Sequence, residues 1–199
     1  MTKIKLCGMT RAEDIDCVNE LLPEYIGFVF VKKSRRYVAP EQALTLSRRL
    51  RPEITPVGVF VNEDIDNIAA IVRSGAIRAV QLHGSEDGDY IAALRESVSV
   101  PVIQAFRIET PRDIERARRS AADYIMLDSG GGTGRGFDHT LITEIGREFF
   151  LAGGLDAENA AQTAASYRPY ALDVSSALET NGLKDKNKMA AFVEAVRKG

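Results

Sequence analysis

The sequence contains only two cysteines, Cys7 and Cys17, and only two histidines among its 199 residues. These numbers are too small for a disulfide framework, and no cluster of ligands suggests a zinc site. Neither sign of charge dominates, because 26 basic residues stand against 28 acidic ones. Proteins that bind the nucleic-acid backbone usually carry a strongly basic surface, so the sequence argues against nucleic-acid binding.

Long hydrophobic runs are also missing. The longest runs, such as residues 25 to 31, have about seven residues, whereas a membrane-spanning helix needs roughly 20. The first five residues form no apolar segment of the kind that directs export. We therefore expect a cytoplasmic protein without a membrane span, and we predict neither a metal nor a cofactor.

Short runs rich in Val, Ile, Phe and Ala alternate with stretches of helical periodicity, eight times along the chain. The predicted strands begin near Lys3, Tyr25, Thr55, Ile77, Pro101, Asp123, Glu148 and Tyr170. The predicted helices cover Arg11 to Leu21, Pro40 to Leu50, Glu63 to Ser74, Asp87 to Ser97, Pro111 to Ala121, His139 to Gly146, Ala157 to Ser166 and Asp185 to Arg197. We expect Thr110, Asp138 and Asp156 to cap helices.

Alternating strands and helices indicate parallel strands, arranged either as an open doubly wound sheet or as a closed (β/α)8 TIM barrel. Eight units favour the barrel, although 199 residues lie at the lower edge of the roughly 200 to 400 typical of it. Residues of the first strand alternate, with Lys3, Lys5 and Cys7 on one face. The sequence therefore predicts an α/β fold in which residues 1–199 form a single barrel domain.

The active site of such a barrel lies at the carboxyl ends of the strands, where a thiol and a carboxylate stand out. Cys7 ends the first strand, and Lys5 beside it could favour the thiolate. Asp128 ends the sixth strand and could act as a general acid if it is partly desolvated. The alternative interpretations are a small buried hydrophobic residue for Cys7 and a solvated carboxylate for Asp128.

Other residues at the same end predict the binding of an anionic substrate. A phosphate is expected where backbone N–H groups and hydroxyls follow the last two strands, at Gly153, Gly154, Asp173, Ser175 and Ser176. Arg36 offers a planar fork suited to a carboxylate, unless Arg35 and Arg36 are only a surface pair. Gln81 and His83 end the fourth strand and are predicted to contact the substrate. The glycine-rich residues 130 to 136 match no nucleotide-binding pattern and predict a flexible loop.

Several of these segments together resemble the phosphoribosylanthranilate isomerase family over essentially the whole chain. The segments follow the family's order: Lys5-Leu6-Cys7-Gly8, Gly27-Phe28-Val29-Phe30, Ser34-Arg35-Arg36-Tyr37-Val38, Gly58-Val59-Phe60-Val61, Gln81-Leu82-His83-Gly84, Leu127-Asp128-Ser129, Gly131-Gly132-Thr133-Gly134, Phe137-Asp138, Leu151-Ala152-Gly153-Gly154-Leu155 and Asp173-Val174-Ser175-Ser176. Any one of these matches would be weak, but their shared order is specific.

The resemblance implies a (β/α)8 barrel that converts N-(5'-phosphoribosyl)anthranilate to 1-(o-carboxyphenylamino)-1-deoxyribulose 5-phosphate, an Amadori rearrangement of tryptophan biosynthesis. It implies Asp128 as general acid and Cys7 as general base, with Arg36 on the substrate carboxylate. The expected partner is this small phosphosugar, and the chain is expected to act as a monomer or homodimer.

Three positions depart from the family pattern: Arg35 replaces a proline, Ala177 a glycine and Leu183 a lysine. A Cβ at position 177 is expected to weaken phosphate binding, because glycine tolerates backbone conformations that alanine does not. Two alternatives remain at this point. One is a related sugar-phosphate isomerase of histidine biosynthesis, which resembles a two-aspartate site, and the other is a barrel that binds a phosphate ligand without catalysis.

Overall fold

The computed structural model describes residues 1–128, 142 and 145–199. Eight parallel strands pair in chain order, and β1 pairs with β8 to close a barrel. The strands are β1 (Lys3–Cys7), β2 (Tyr25–Val29), β3 (Thr55–Phe60), β4 (Ala79–Leu82), β5 (Val102–Arg107), β6 (Tyr124–Asp128), β7 (Phe149–Ala152) and β8 (Ala171–Val174). Closure excludes the open sheet, and each strand begins within two residues of its predicted position.

The helices of the described residues lie between these strands and after the last one. They are α1 (Ala12–Leu21), α2 (Pro40–Ser47), α3 (Ile65–Arg73), α4 (Gly88–Ser97), α5 (Pro111–Arg118), α6 (Ala160–Tyr167) and α7 (Lys186–Lys198). The predicted helix from His139 to Gly146 and its cap Asp138 lie outside the described residues, apart from positions 142, 145 and 146. No helix of the described part has the length and apolar character needed to cross a membrane.

The helices α2 and α5 each end three residues earlier than predicted, and α6 begins three residues later. After α2, the N–H groups of Arg49 and Leu50 bond to carbonyls three residues back, so the last turn tightens and leaves the α-helical pattern. Residues 119 and 120 do the same after α5. Thr110 caps α5 as predicted, but the cap of α6 is Asn159 rather than Asp156. The Asp156 carboxylate instead accepts the N–H groups of residues 158 and 159 in the preceding turn.

The buried residues form an outer layer between strands and helices and an inner group within the barrel. The outer layer contains the alternate strand residues Ile4, Leu6, Ile26, Phe28, Val80, Leu82, Ile125 and Leu127. The inner group includes Val57, Ile103, Met126 and Phe150, with tyrosines packed against it. Because neighbouring strand residues point to opposite faces, the thiol of β1 belongs to the inner side near the carboxyl end, where Cys7 packs with Val29 and Val59.

A small hairpin follows the barrel strands. Its strands, β9 (Glu179–Thr180) and β10 (Leu183–Lys184), are antiparallel and place Glu179 opposite Lys184. Asn181 and Gly182 join them with positive φ angles of 52° and 80°, the signs that a type I′ turn requires. The hairpin carries charged residues to the carboxyl end of the barrel, so it contributes to the site described next.

Candidate active site

A cavity of about 510 Å³ opens at the carboxyl ends of the strands. Its lining contains all ten predicted site residues: Cys7, Arg36, Gln81, His83, Asp128, Gly153, Gly154, Asp173, Ser175 and Ser176. Residues more than 160 positions apart in the chain therefore meet in one concave site. The structure thus brings together the residues that the strand ends predicted.

Cys7 lies at the inner wall of this cavity and is 8% exposed. Gly27 is its partner on β2, and a Cβ built at Gly27 would lie 2.5 Å from the Cys7 sulfur. Glycine at this position therefore provides the space that the thiol occupies. Nothing in the sequence singled out Gly27, although its place opposite Cys7 follows once the strands are paired.

The surroundings of Cys7 favour its protonated form. Burial is the largest influence and raises the pKa of Cys7, while the Lys5 ammonium lowers it, Asp173 raises it and Lys184 lowers it. The net pKa lies above the ordinary thiol value, so Cys7 is mostly a thiol at neutral pH. Lys5 supplies the positive charge that the sequence suggested, but Asp173 neutralises part of its effect.

Lys5 and Asp173 form an ion pair inside the barrel, with 2.7 Å between Nζ and Oδ1. The Lys5 side chain is fully buried, and its residue stands directly opposite Asp173 in the β1–β8 pairing. Burial alone would lower the pKa of Lys5, but Asp173 and Cys7 outweigh it and raise the pKa. Asp173 was predicted among the phosphate ligands; its carboxylate is bound here to an ammonium group and would repel a phosphate.

Asp128 lies at the cavity wall opposite Cys7 and is hydrogen-bonded to His83, with 3.1 Å between His83 Nε2 and Asp128 Oδ2. The Gln81 amide nitrogen lies 3.3 Å from His83 Nδ1. Since an amide nitrogen only donates, Nδ1 accepts and the proton of a neutral imidazole is on Nε2, facing the carboxylate. Gln81 Oε1 is buried and has no hydrogen-bond partner among the described residues. The contacts of the amide nitrogen, with His83 Nδ1 and with Met126 Sδ, therefore orient the Gln81 side chain.

Arg36 reaches the cavity beside Gly8, whose φ is +86°. A Cβ at Gly8 would lie 2.5 Å from Cδ of Arg36, so the arginine stem packs directly over the backbone. Its guanidinium is bound to Glu179, with 2.5 Å from Nε to Oε1 and 3.2 Å from Nη2 to Oε2. Glu179 was not predicted, and it gives Arg36 a carboxylate partner within the protein.

The residues predicted to hold a phosphate follow β7 and β8. Gly153 and Gly154 have positive φ angles of 92° and 66°, a conformation that few other residues adopt. Ser175 Oγ donates to the carbonyl of Cys7 at 3.0 Å, which joins this segment to the end of β1. Ser176 begins a short 3₁₀ turn that runs to Leu178.

Ala177 lies in the middle of that turn and not in the left-handed region. The expectation that its Cβ would disturb the backbone is therefore wrong, because a 3₁₀ turn accepts alanine without strain. Leu183, a second departure, is half exposed, while the buried lysine of the hairpin is its neighbour Lys184. Arg35 bonds to Glu179, with 2.6 Å from Nη2 to Oε2.

Lys184 is a further residue that the sequence did not single out. Its Nζ donates to the Ser175 carbonyl at 2.9 Å and to Glu179 Oε1 at 2.9 Å. The Asn181-Gly182 pair is a strong hairpin signal and could have revealed that Glu179 and Lys184 face each other. Within the described residues, no three His, Cys, Asp or Glu side chains are grouped where they could hold a metal ion.

Comparison with known proteins gives a consistent result over the full chain. The family model for N-(5'-phosphoribosyl)anthranilate isomerase matches residues 4–195. The isomerase of Endomicrobium trichonymphae is 41% identical over 202 residues, covering 99% of each chain. The crystal structure of phosphoribosyl anthranilate isomerase from Thermotoga maritima has a TM-score of 0.91 and 35% identity, covering 100% of each chain.

A second solved structure shows a related isomerase with a ligand. It contains phosphoribosyl anthranilate isomerase in complex with reduced 1-(o-carboxyphenylamino)-1-deoxyribulose 5-phosphate. This chain is similar to it with a TM-score of 0.88 and 35% identity, again over 100% of each chain. The similarities thus extend over the barrel as a whole and include a protein that binds a carboxylated phosphosugar.

Proposed function

Because this chain belongs to the N-(5'-phosphoribosyl)anthranilate isomerase family, we propose that it isomerises N-(5'-phosphoribosyl)anthranilate to 1-(o-carboxyphenylamino)-1-deoxyribulose 5-phosphate in tryptophan biosynthesis. The observation that carries this proposal is the cavity at the strand ends, which combines a thiol, a carboxylate and groups suited to two anions. The reaction needs a proton donor, a proton acceptor and groups that bind the phosphate and the carboxylate of the substrate, and the cavity contains residues suited to each.

Asp128 is the general acid in this proposal. Its carboxyl proton goes to the furanose ring oxygen, the bond from that oxygen to C1' breaks, and the lone pair of the anthranilate nitrogen forms a C=N bond to C1'. The carboxylate that remains is stabilised by the N–H that His83 directs at it, 3.1 Å away. Gln81 acts on this step through the imidazole, since its amide nitrogen holds Nδ1 as the acceptor.

Cys7 is the general base in the second step. Its thiolate takes the proton from C2', and the electron pair of that C–H bond forms the C1'=C2' bond of an enolamine and neutralises the iminium nitrogen. Tautomerisation then gives the C2' ketone. The cationic iminium next to the sulfur favours the thiolate, which offsets the rise in the pKa of Cys7 that burial causes.

Two groups of residues orient the substrate in the proposal. The backbone N–H groups around Gly153 and Gly154 and those of Ser175 and Ser176 bind the phosphate, together with the Ser176 hydroxyl, since the Ser175 hydroxyl donates to the Cys7 carbonyl. Arg36 binds the anthranilate carboxylate through its planar guanidinium. Asp173 acts one step away, through Lys5, because its carboxylate is committed to that ammonium group.

An assay of phosphoribosylanthranilate consumption tests the proposal. We expect turnover by the wild type and a loss of about 100-fold or more in kcat for Cys7→Ala and for Asp128→Asn, the usual contribution of an acid or base. Cys17→Ala is the matched control, because this second buried thiol lies in α1, and it should retain activity. Absence of turnover by the folded wild type would favour a ligand-binding barrel.

A sugar-phosphate isomerase of histidine biosynthesis is the second candidate, and an assay with the aminoaldose of that pathway tests it. That site resembles a pair of aspartates, whereas Cys7 occupies the first position here. We expect no turnover of the histidine-pathway aminoaldose by the wild type. Turnover of that compound by the wild type, together with a loss of this activity in Cys7→Asp, would reverse the assignment. A cytoplasmic location and a monomeric or homodimeric state remain predictions.

A further inference from the structure

Glu179 binds three cationic side chains at the edge of the cavity. Its carboxylate contacts Arg36 through both oxygens, Lys184 at 2.9 Å and Arg35 at 2.6 Å. The Glu179 side chain is 5% exposed, as expected of a carboxylate surrounded by partners. Three cations and one carboxylate leave two positive charges, so the cluster still attracts an anion.

The Glu179 contacts use only one edge of the Arg36 guanidinium. A guanidinium presents two forked edges, one formed by Nε with one terminal nitrogen and one formed by the two terminal nitrogens. Glu179 takes the edge with Nε and Nη2. No hydrogen bond from Nη1 occurs within the described residues, and Arg36 lines the cavity. A second carboxylate can therefore bind the other edge without displacing Glu179.

Glu179 is itself held in place. Lys184 is almost fully buried, and it binds Glu179 and the Ser175 carbonyl together. The β9–β10 pairing sets these two residues opposite each other. Burial would raise the pKa of Glu179, but its hydrogen bonds to Arg36 and Lys184 lower it, so the carboxylate is ionised at neutral pH. Arg36 is thus fixed at its stem by Gly8 and at its head by an anchored carboxylate.

We propose that Glu179 is a positioning residue that orients the Arg36 guanidinium so that its second edge receives the carboxylate of the substrate. This inference rests on the proposed function, which supplies the substrate carboxylate. Ordering a long side chain before binding removes a cost that the ligand would otherwise bear. Without Glu179, the guanidinium samples other rotamers, and only the ligand's carboxylate end loses affinity.

Calorimetric titration with two ligands tests this inference. One is the reduced product analogue that carries the o-carboxyl group, and the other is the same compound without that group. For Glu179→Ala we expect the Kd of the carboxylated ligand to rise about tenfold, in line with the cost of ordering one side chain. The Kd of the ligand without the carboxyl group should change less than about twofold.

A double-mutant cycle separates positioning from a general structural effect. If Glu179 acts through Arg36, Glu179→Ala should cause no further loss in an Arg36→Ala background. Arg35→Ala is the matched control, since it removes an exposed partner of the same carboxylate and leaves the Arg36 fork intact. Glu179→Gln keeps the size of the side chain and replaces the alanine variant if the latter does not fold.

Three results would overturn the inference: tighter binding of the carboxylated ligand by Glu179→Ala, equal losses for both ligands, or additive losses in the cycle. Tighter binding would mean that Glu179 competes with the substrate for Arg36. Failure of the folded wild type to bind either ligand is a different outcome, because it overturns the proposed function itself.

Discussion

The proposed role of Cys7 places two opposed requirements on its thiol: it must line the cavity of the barrel, and it must lose its proton there. Its sulfur must be reached by a substrate from the cavity that Cys7 lines, but burial and Asp173 raise its pKa. In its proposed role as general base, Cys7 must be unprotonated to accept a proton, so these surroundings reduce the available fraction of thiolate at neutral pH. The two ammonium groups near the sulfur limit this effect without reversing it.

We predict that alkylation of Cys7 by iodoacetamide increases with pH through a midpoint above that of a free cysteine thiol. The thiolate is the reactive form, and the pKa of Cys7 is raised in the folded protein. The measurement uses a Cys17→Ser background, so that one thiol reports. A midpoint at or below that of N-acetylcysteine amide under the same conditions would contradict the prediction.

In the proposed mechanism, the same pKa sets the pH dependence of the reaction. For the free enzyme, kcat/KM should rise as the pH increases through the pKa of Cys7, because deprotonation creates the base. Lys5→Met should shift this rise to higher pH, since the ammonium group lowers the pKa of the thiol. A profile that stays flat above neutral pH, or one that Lys5→Met leaves in place, would speak against Cys7 as the base.

The buried pair of Lys5 and Asp173 predicts a large effect on stability. Lys5→Met leaves the Asp173 carboxylate without its buried partner and should lower the free energy of unfolding by about 3–5 kcal/mol. Urea denaturation measures the change. The exposed pair Lys186–Glu20 provides the control, because solvent screens it and Lys186→Ala should have a much smaller effect.

The Lys5→Met, Asp173→Leu double variant tests the physical reason for that loss. When both charges are replaced by apolar groups, no uncompensated charge remains, so most of the stability should return. If the double variant is as unstable as Lys5→Met alone, packing rather than charge explains the loss.

At the level of elements, the hairpin β9–β10 shows how a six-residue feature connects two parts of the site. Its two strands have two residues each, too short for any periodic pattern. Strand and helix positions were predictable because the eight longer strands and their helices repeat a hydrophobic pattern. For the hairpin, the Asn181-Gly182 turn was the one readable signal, because strands of two residues carry no alternation.

We predict that Gly182→Ala lowers both the free energy of unfolding and the affinity for the carboxylated ligand. Its φ of +80° disfavours a Cβ, so the substitution should cost about 1 kcal/mol of unfolding free energy. The carboxylated ligand should also bind more weakly, because the turn aligns Glu179 with Lys184. Unfolding and calorimetric titration together measure the two effects.

Gly75→Ala is a matched control for that variant. Gly75 has a φ of +81° and, like Gly182, has open space around an added Cβ. It follows α3, away from the hairpin, so its replacement should cost similar stability without changing ligand affinity. Equal losses of affinity in both variants would show that the effect on binding is not specific to the hairpin.

At the level of the whole molecule, the two ends of the barrel differ in chemistry. The carboxyl end is an open cavity lined by titratable groups, whereas the opposite end is filled by the phenols of Tyr25, Tyr124 and Tyr170. The Tyr170 hydroxyl accepts from Lys3 Nζ at 2.6 Å and lies 2.8 Å from that of Tyr25. The candidate site and the packed tyrosine cluster therefore lie at opposite ends of the same strands.

This cluster predicts an unusual tyrosine titration. Burial raises the pKa of Tyr170, but hydrogen bonds from Lys3, Tyr124 and Tyr25 outweigh it and lower the pKa. The Tyr170 hydrogen bond and burial raise the pKa of Tyr124 to about 12. Absorbance at the tyrosinate wavelength should show one early ionisation that Tyr170→Phe removes, and an unchanged first step in that variant would contradict the assignment.

The sequence by itself determined the repeating units, the barrel and the strand ends where the site lies, because hydrophobic periodicity and turn residues act over a few neighbouring positions. The partners within the site were decided only by tertiary structure. Arg36 and Glu179 are separated by 143 positions, and Lys5 and Asp173 by 168, so no local pattern relates them. Closure of β1 on β8 sets one pair in register, and the hairpin delivers the other, which is why charge partners could be identified only in the folded chain.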